Sequence, residues 1–554
     1  MRHPSLLSLL GLLLWLAVAG QGAHGAAAIA SARPEATRAG HEILAAGGNA
    51  FDAAVAVAAT LAVVEPYSSG LGGGGFFLLH RQDDGHQVMV DGRETAPAAA
   101  HPKLYLDGDG EVVPGASVDG PLAAGIPGLP AALVHLSESY GRLPLAQALE
   151  PAVRWAEQGF EVSPHYRAMA SFRKGVLNEY PASAAIFLDD GRVPEVGTLI
   201  RQPDLAATLR RLGAGGREGF YQGEVAAALV DAVRDHGGIW SGADLAAYQV
   251  RERAPVVSRL GDIRVVSAAP PSSGGVALAT MLHILEDLPR GGPGEAETIH
   301  YLVEAMRFAY RDRAVHLGDP DYTAVPVARL TSPAYARRLA RRIRPGERAP
   351  IPVPDFPAAP EGADTTHFSI MDATGNRVAA TLSINYPFGA GFVVAGTGVL
   401  LNDEMDDFVA KPGVPNVYGL VGGQANAVEP GKRPLSSMSP TFVEGPHRIG
   451  VLGTPGGSRI ITMVLLGILD FGRGNGPDSW VSRPRFHHQF LPDVVQFEPG
   501  AIGPTEQLEL EARGHRLQAL AETYGNMQAV MWERRSGRYS AASDPRGEGL
   551  AEVR

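Results

Sequence analysis

Apolar and polar residues alternate from 365 to 371 and again from 377 to 385, with Asp372-Ala373-Thr374-Gly375-Asn376 between the two runs. A period of two on either side of Asp, Gly and Asn predicts a β-hairpin. Phe368 and Ile370 share a face with Val378, Ala380, Leu382 and Ile384, so that face belongs to a core. The other face carries Thr365, His367, Ser369, Thr381, Ser383 and Asn385. With Met371 opposite Arg377, Ser383 stands directly across from Thr365. A slip of one residue would turn an apolar face outward, so the pairing is well specified. A polar strand face ordinarily meets water; this one gathers hydroxyls and an amide at one strand end.

Upstream the period is helical. Residues 35 to 64 predict two helices divided at Ala45-Ala46-Gly47-Gly48-Asn49, the second built of small apolar residues. Residues 131 to 238 are mostly helical, with amphipathic segments around 145–155, 204–212 and 225–233. Gly70-Leu71-Gly72-Gly73-Gly74-Gly75 fits the letters of a dinucleotide-binding turn. A helix precedes it and the strand-like Phe76-Phe77-Leu78-Leu79 follows, the reverse of what such a turn needs. Close backbone approach explains the glycines instead. A strand over 87–91 ends at Gly92-Arg93-Glu94, where an Arg can grip a carboxylate with two parallel hydrogen bonds. Pro270-Pro271-Ser272-Ser273-Gly274-Gly275 opens a helix over 276–285, the serines serving as caps, and a further helix covers 299–317. Residues 341–362 are rich in Pro, Arg and Ala without periodicity, which predicts an exposed, mobile linker ending just before Thr365.

Past the hairpin, strands and glycine turns dominate. A strand over 399–402 leads into Glu404, Asp406 and Asp407. The loop over 411–423 carries Tyr418 and is long enough for a lid. Ser436-Ser437-Met438-Ser439-Pro440 is a second hydroxyl cluster. Residues 451–458 have the form strand, turn, helix, and backbone N–H groups in such a turn can converge on an anion.

Composition narrows the possibilities. The chain has 554 residues, 45% hydrophobic and 19% charged, ordinary for a globular protein. That length by itself suggests three or four domains. A net charge of -11 speaks against a general nucleic-acid binder. With Cys 0, disulfides, thiolate metal sites and a Cys nucleophile are excluded. Arg2 and His3, an apolar run over 6–19 broken only by Ser8 and Gly11, and Ala23-His24-Gly25 read as an export signal over 1–25. The run is short for a membrane span. The expectation is a mature protein without a membrane span, periplasmic or secreted.

A threonine hydroxyl needs a base beside it to act as a nucleophile. His367 points the same way as Thr365 but is two residues along, roughly 6.6 Å. Cutting the bond between Asp364 and Thr365 supplies a base without another side chain, because it frees the α-amine of Thr365. Such an amine has a pKa of about 7.7–8.0, suited to proton transfer near neutrality. The Thr365 hydroxyl could itself attack the Asp364 carbonyl.

Several motifs together resemble the γ-glutamyltransferase (glutathione hydrolase proenzyme) family. They are Asp364-Thr365-Thr366-His367-Phe368-Ser369, the Asn385 segment, Asn402-Asp403-Glu404-Met405-Asp406-Asp407, residues 411–419, Arg433-Pro434-Leu435-Ser436-Ser437-Met438-Ser439-Pro440, Pro455-Gly456-Gly457-Ser458-Arg459 and Pro484-Arg485-Phe486-His487-His488. Arg93 and residues 270–275 fit as well, so the likeness runs through nearly the whole chain after the signal. The resemblance implies an α+β fold, the four-layer αββα sandwich of N-terminal-nucleophile hydrolases. It implies a precursor that cuts itself between Asp364 and Thr365 into a large subunit over 26–364 and a small subunit over 365–554, both in one αββα domain. Thr365 would then be nucleophile and, through its amine, base. Ser383 would hydrogen-bond it, and Gly456 and Gly457 would form the oxyanion hole. Arg93, Ser436 and Ser437 would hold the substrate α-carboxylate; Asn385, Glu404 and Asp407 would hold its α-ammonium. Residues 411–423, with Tyr418, resemble the lid loop of some bacterial members. Ser at 383 and Glu at 404 vary from some relatives but keep the hydroxyl and the acid. The implied substrates are glutathione and other γ-glutamyl compounds, with water, amino acids or dipeptides as acceptors.

No cofactor and no metal are expected: adjacent His487 and His488 on a strand point to opposite faces. Asp544-Pro545-Arg546 reads as a turn with an ion pair. Two other functions compete, a glutaryl or cephalosporin-type acylase on the same fold and an unprocessed, secreted binding protein. Glutaryl lacks an α-ammonium, so Glu404 and Asp407 speak against the first; intact Asp364-Thr365 and Gly456-Gly457 speak against the second.

Overall fold

A computed structural model describes residues 26–289, 294–351 and 365–554. The expected export signal, the later part of the linker and Asp364 lie outside the described residues.

Two antiparallel sheets lie face to face at the centre. The first has seven strands in the spatial order Leu550–Val553, Ala28–Ser31, Thr366–Met371, Arg377–Ser383, Gly74–His80, Gln87–Gly92 and Arg251–Arg253. The second has six, in the order Tyr539–Ser543, Gln528–Glu533, Arg448–Gly453, Thr441–Glu444, Ile263–Ser267 and Val256–Leu260. The outer face of the first sheet, with Ile29, Phe77, Leu79, Phe368, Ile370 and Val378, packs on helices that include Ala50–Val64 and Leu129–Tyr140, with Leu145–Gln158 behind them. Its inner face, with Ala30, Phe76, Leu78 and Ala379, meets Phe442, Val451 and Val530 of the second sheet. The helices Gly274–Asp287, Glu295–His316 and Ile460–Gly472 share that second core. The layers are therefore helix, sheet, sheet, helix.

Both sheets draw strands from before and after residue 364. Ala28–Ser31 pairs with Thr366–Met371 on one side and Leu550–Val553 on the other, and Ile263–Ser267 pairs with Thr441–Glu444. The division into three or four domains that length suggested does not hold. A cut ahead of Thr365 would leave two pieces joined by these ladders and by a common core.

The hairpin has the expected register, with Arg377 opposite Met371 and Leu382 opposite Thr366. Its turn is built on Asp372. One carboxylate oxygen accepts from the N–H groups of Thr374 and Asn376, and the other accepts from Ala50 N–H at 3.0 Å, at the start of a buried helix. The expectation that the polar face meets water fails. Every residue of both strands is buried, because the second sheet covers that face. His367 fits there by losing its charge. It bonds Thr381 Oγ1 at 2.8 Å and Ser369 Oγ at 3.1 Å, and burial pushes its pKa down to about 3. The facing backbone comes so close that a Cβ on Gly453 would lie 2.2 Å from the His367 ring.

Close approach also accounts for the glycine run, since a Cβ on Gly73 would lie 2.2 Å from Ser383 O. The described part of the linker, 341–351, is mostly exposed as expected, but it is anchored rather than loose: Ile343, Ala349 and Ile351 are buried, and Ala349 N–H donates to Glu304 at 2.9 Å. Asp544 and Arg546 do form an ion pair, at 3.1 Å, but Asp544 is buried and also paired with Arg485. Among the described residues no helix is long and apolar enough to cross a membrane.

Candidate active site

The end of the hairpin sets the site. Thr365 immediately precedes the strand Thr366–Met371, and its Oγ1 lies 3.1 Å from Ser383 Oγ, as the register requires. Ser383 Oγ also accepts the Asn385 N–H at 2.8 Å, so its single proton goes to one of two neighbours, Thr365 Oγ1 or the Glu404 carboxylate. Thr365 has φ of +113°, an uncommon value for a β-branched residue and a costly one.

The strand Arg448–Gly453 delivers a second element beside this hydroxyl. Its chain turns through Gly456 and Gly457, at φ of +130° and +53°, and enters the helix Ile460–Gly472 through one short 3₁₀ turn. Positive φ at both positions explains why glycine stands there. Neither glycine N–H has a hydrogen-bond partner among the described residues, and both lie at the electropositive start of a helix.

Arg93 enters from the strand Gln87–Gly92. Its buried guanidinium makes ion pairs with Glu404 through Nη1 and with Asp407 through Nη2, and its Nε donates to Pro434 O at 3.3 Å. Glu94 lies 3.7 Å away, and neither of its carboxylate oxygens has a hydrogen-bond partner. Burial, and next Glu404, push the Glu94 carboxyl well above the usual carboxylate range. Burial also raises Glu404, against the pull of Arg93. Glu404 and Asp407 sit on a 3₁₀ turn that Asn402 anchors: its side chain accepts Glu404 N–H at 2.9 Å and donates to Gly72 O and Gly125 O. Asn385 donates its amide N–H to Asp403 O at 3.1 Å, which leaves its Oδ1 as an acceptor for a cation.

Ser436 and Ser437 lie on a segment clamped by the helix start at 274. Ser273 N–H and Oγ–H both donate to Ser436 O, at 2.8 and 2.7 Å, and Ser272 Oγ donates to Met438 O at 2.6 Å. The expectation that these serines serve as caps is thus corrected in part. Ser273 occupies the cap position without a capping bond, and only Ser272 accepts an N–H of the first turn. The loop over 411–423 crosses above. Tyr418 donates its hydroxyl to Asn385 O at 2.6 Å, Gln489 donates to Tyr418 O at 3.1 Å, and Asn416 donates to Asp407 at 3.2 Å.

These pieces line one narrow, part-open cavity. Arg93, Thr365, Ser383, Asn385, Glu404, Asp407, Tyr418, Ser436, Ser437 and Gly457 line it. Of the residues to which the resemblance gave a site role, Gly456, one position earlier, and Asp364, outside the described residues, are not on its wall. Its wall carries a hydroxyl and free N–H donors together with a cation flanked by carboxylates and hydroxyls. Such a cavity suits a chain with an acyl carbon at one end and a zwitterion at the other. The zwitterion's ammonium can take over the carboxylates from Arg93 while its carboxylate takes over Arg93, with no net charge buried.

His487 and His488 each have side-chain partners, Thr462 at 2.9 Å and Asp493 at 3.2 Å. His300, Glu304 and His515 stand within 4.8 Å of one another in a separate buried cluster. His300 bonds His515 and Arg344 O, and Glu304 bonds Arg307 and Ala349 N–H, so these groups already satisfy one another. Two participants escaped the sequence reading. Asn402 stood inside a motif without a role. Arg313 was detectable as a cation on the apolar stripe of a helix with Met306 and Ala309.

The sequence profile of gamma-glutamyltranspeptidases matches residues 36–553. The chain is 45% identical to a glutathione hydrolase proenzyme of Pseudomonas sp. (strain A14), over 88% of this chain and 86% of that protein. It is 41% identical to the glutathione hydrolase proenzyme of Escherichia coli (strain K12), over 94% and 90%. Among solved structures, the cephalosporin acylase from Bacillus halodurans superposes with a TM-score of 0.83 at 27% identity, covering 96% of each chain.

Proposed function

The chain belongs to the gamma-glutamyltranspeptidase family, and on that footing we propose that Thr365, released by cleavage after Asp364, carries its chemistry. The protein is an enzyme of the N-terminal-nucleophile hydrolase fold, a γ-glutamyl hydrolase and transferase. The Thr365 hydroxyl first attacks the Asp364 carbonyl. The peptide bond becomes an ester, which water opens to give a carboxylate on 364 and a free α-amine on Thr365. The large subunit then spans 26–364 and the small one 365–554.

In turnover Thr365 Oγ1 attacks the γ-carbonyl of the bound γ-glutamyl group as its proton passes to the α-amine, with Ser383 holding the hydroxyl in line. The N–H groups of Gly456 and Gly457 take up the charge on the carbonyl oxygen. The α-ammonium returns its proton to the departing amine, and a γ-glutamyl ester remains on Thr365. Water, or the amine of an amino acid or dipeptide, then resolves the ester by the same path. Arg93, Ser436 and Ser437 hold the α-carboxylate; Asn385, Glu404 and Asp407 hold the α-ammonium. Glutathione fits as donor because its γ-glutamyl end carries both groups. The signal-like start at 1–25 supports export to the periplasm or beyond.

One observation carries the reading: a single cavity joins the Thr365 hydroxyl to a charged end with matched acids and base. The likeness to a cephalosporin acylase favours a second reading, in which glutaryl amides are the substrates. The two substrates differ only in the α-ammonium, so Glu404 and Asp407 decide between them. Losing a charged partner there should cost about 10- to 100-fold. Comparing kcat/KM for γ-glutamyl and glutaryl anilides is therefore expected to favour γ-glutamyl by at least that factor. Equal or better turnover of the glutaryl anilide would make the acylase reading the correct one.

A further inference from the structure

Arg313 is a buried cation behind the charged end of the cavity. It lies on the helix Glu295–His316, one turn after Tyr310, whose hydroxyl donates to Ser458 O beside the glycine turn. Its side chain is 5% exposed and forms no ion pair among the described residues. Nε donates to Ser273 Oγ at 3.1 Å and Nη2 to Ser437 Oγ at 3.4 Å, while Nη1 has no partner. A charge desolvated in this way is expensive unless something compensates it.

Two consequences follow from those bonds. A serine hydroxyl has a single proton. Because Ser437 Oγ accepts from Arg313, its own O–H is left to point elsewhere, and Ser437 lines the cavity. Ser273, held by the same guanidinium, donates to Ser436 O and fixes the backbone of the serine pair. The second consequence concerns charge. Arg93 is already engaged by two carboxylates, Glu404 and Asp407. An incoming carboxylate would find little net attraction from Arg93 alone. Arg313 is a second positive charge beside this cavity and makes no ion pair among the described residues, although the Asp407 carboxylate acts on it.

We propose that Arg313 is a positioning residue for the substrate α-carboxylate: it sets Ser437 as a donor into the cavity and supplies the balancing charge. This rests on the assignment of Ser436, Ser437 and Arg93 to that carboxylate. The Pro270–Gly275 motif then has a function, since Ser273 transmits the hold of Arg313 to the serine pair.

The test compares γ-glutamyl anilide with 4-aminobutyryl anilide, which is the same acyl chain without the α-carboxylate. Arg313→Gln is expected to raise KM for γ-glutamyl anilide by about 10- to 100-fold, the worth of a charge-assisted contact. The preference for γ-glutamyl over 4-aminobutyryl falls by the same factor, and kcat changes by less than about threefold because the contact is made equally before and during reaction. Arg313→Lys keeps the charge but loses the fork, so it should lose part of that preference. Equal loss on both substrates, or an unchanged preference, would overturn the proposal and leave Arg313 a mere brace. Arg93→Lys, measured alongside, separates the two layers. If it lowers the preference and Arg313→Gln does not, only the Arg313 proposal falls; if neither does, the carboxylate assignment falls with it. Should Arg313→Gln not yield two chains, Arg313→Lys is read by the same preference, and a wild-type value overturns the proposal.

Discussion

Thr365→Ala is expected to give one uncut chain with no measurable turnover, a loss of at least about 10⁴-fold, as for other variants lacking a nucleophile. On the proposed mechanism the same hydroxyl is needed twice, first to open the bond behind it and then to accept the acyl group. The substitution removes only a hydroxyl and a methyl at a buried strand end, so the hairpin register and the core beneath it should survive. The local backbone adds a push toward cleavage. At φ of +113° a β-branched residue is strained by about 1–3 kcal/mol. Once the preceding carbonyl leaves, that torsion no longer exists and the strain is released. A denaturing gel and an anilide assay read both effects. Two chains from Thr365→Ala without added protease, or turnover by the uncut chain, would remove Thr365 from the mechanism.

Gly457→Ala is the other large effect. At φ of +53° a side chain is disfavoured, and the new Cβ would lie 2.4 Å from the ring of Tyr418. Tyr418 cannot simply give way, because its hydroxyl and carbonyl are held by Asn385 and Gln489. The turn itself must shift, taking the Gly456 and Gly457 N–H groups out of line with the developing oxyanion. Losing one such donor typically costs about 10²- to 10³-fold in kcat, and that is the fall expected here. KM should move less, since these N–H groups act on charge that develops only in the transition state. A kcat within about threefold of wild type, well short of the loss of one donor, would show that these N–H groups do not stabilise the oxyanion.

The hairpin could be read in the sequence because alternation and turn chemistry agree there, and its register alone brought Ser383 to Thr365. The glycine turn at 456–457 was legible for a similar reason: two adjacent glycines between a strand and a helix have few other uses. Arg93, Glu404 and Asp407 could be assigned opposite charges to hold. Their mutual ion pairs in the free cavity were not foreseeable, because they join positions more than three hundred residues apart. The covering of the polar hairpin face was missed for the same reason. That cover comes from strands at 448–453 and 528–533, whose own sequences say nothing about which sheet they face. Ser272 and Ser273 resemble ordinary helix caps until the 436–438 segment is seen lying across them. The packing of Ala349 and Ile351 also depends on a distant partner, Glu304, and a Pro-rich composition conceals it.

The central claim is that this nucleophile becomes competent only when its own amine is freed. The most direct measurement is the N-terminal residue of the smaller chain in purified, active enzyme. The account predicts Thr365 with an unblocked α-amine, and activity that rises in step with its appearance. Active protein whose smaller chain starts at any other residue, or which was never cut, would contradict it.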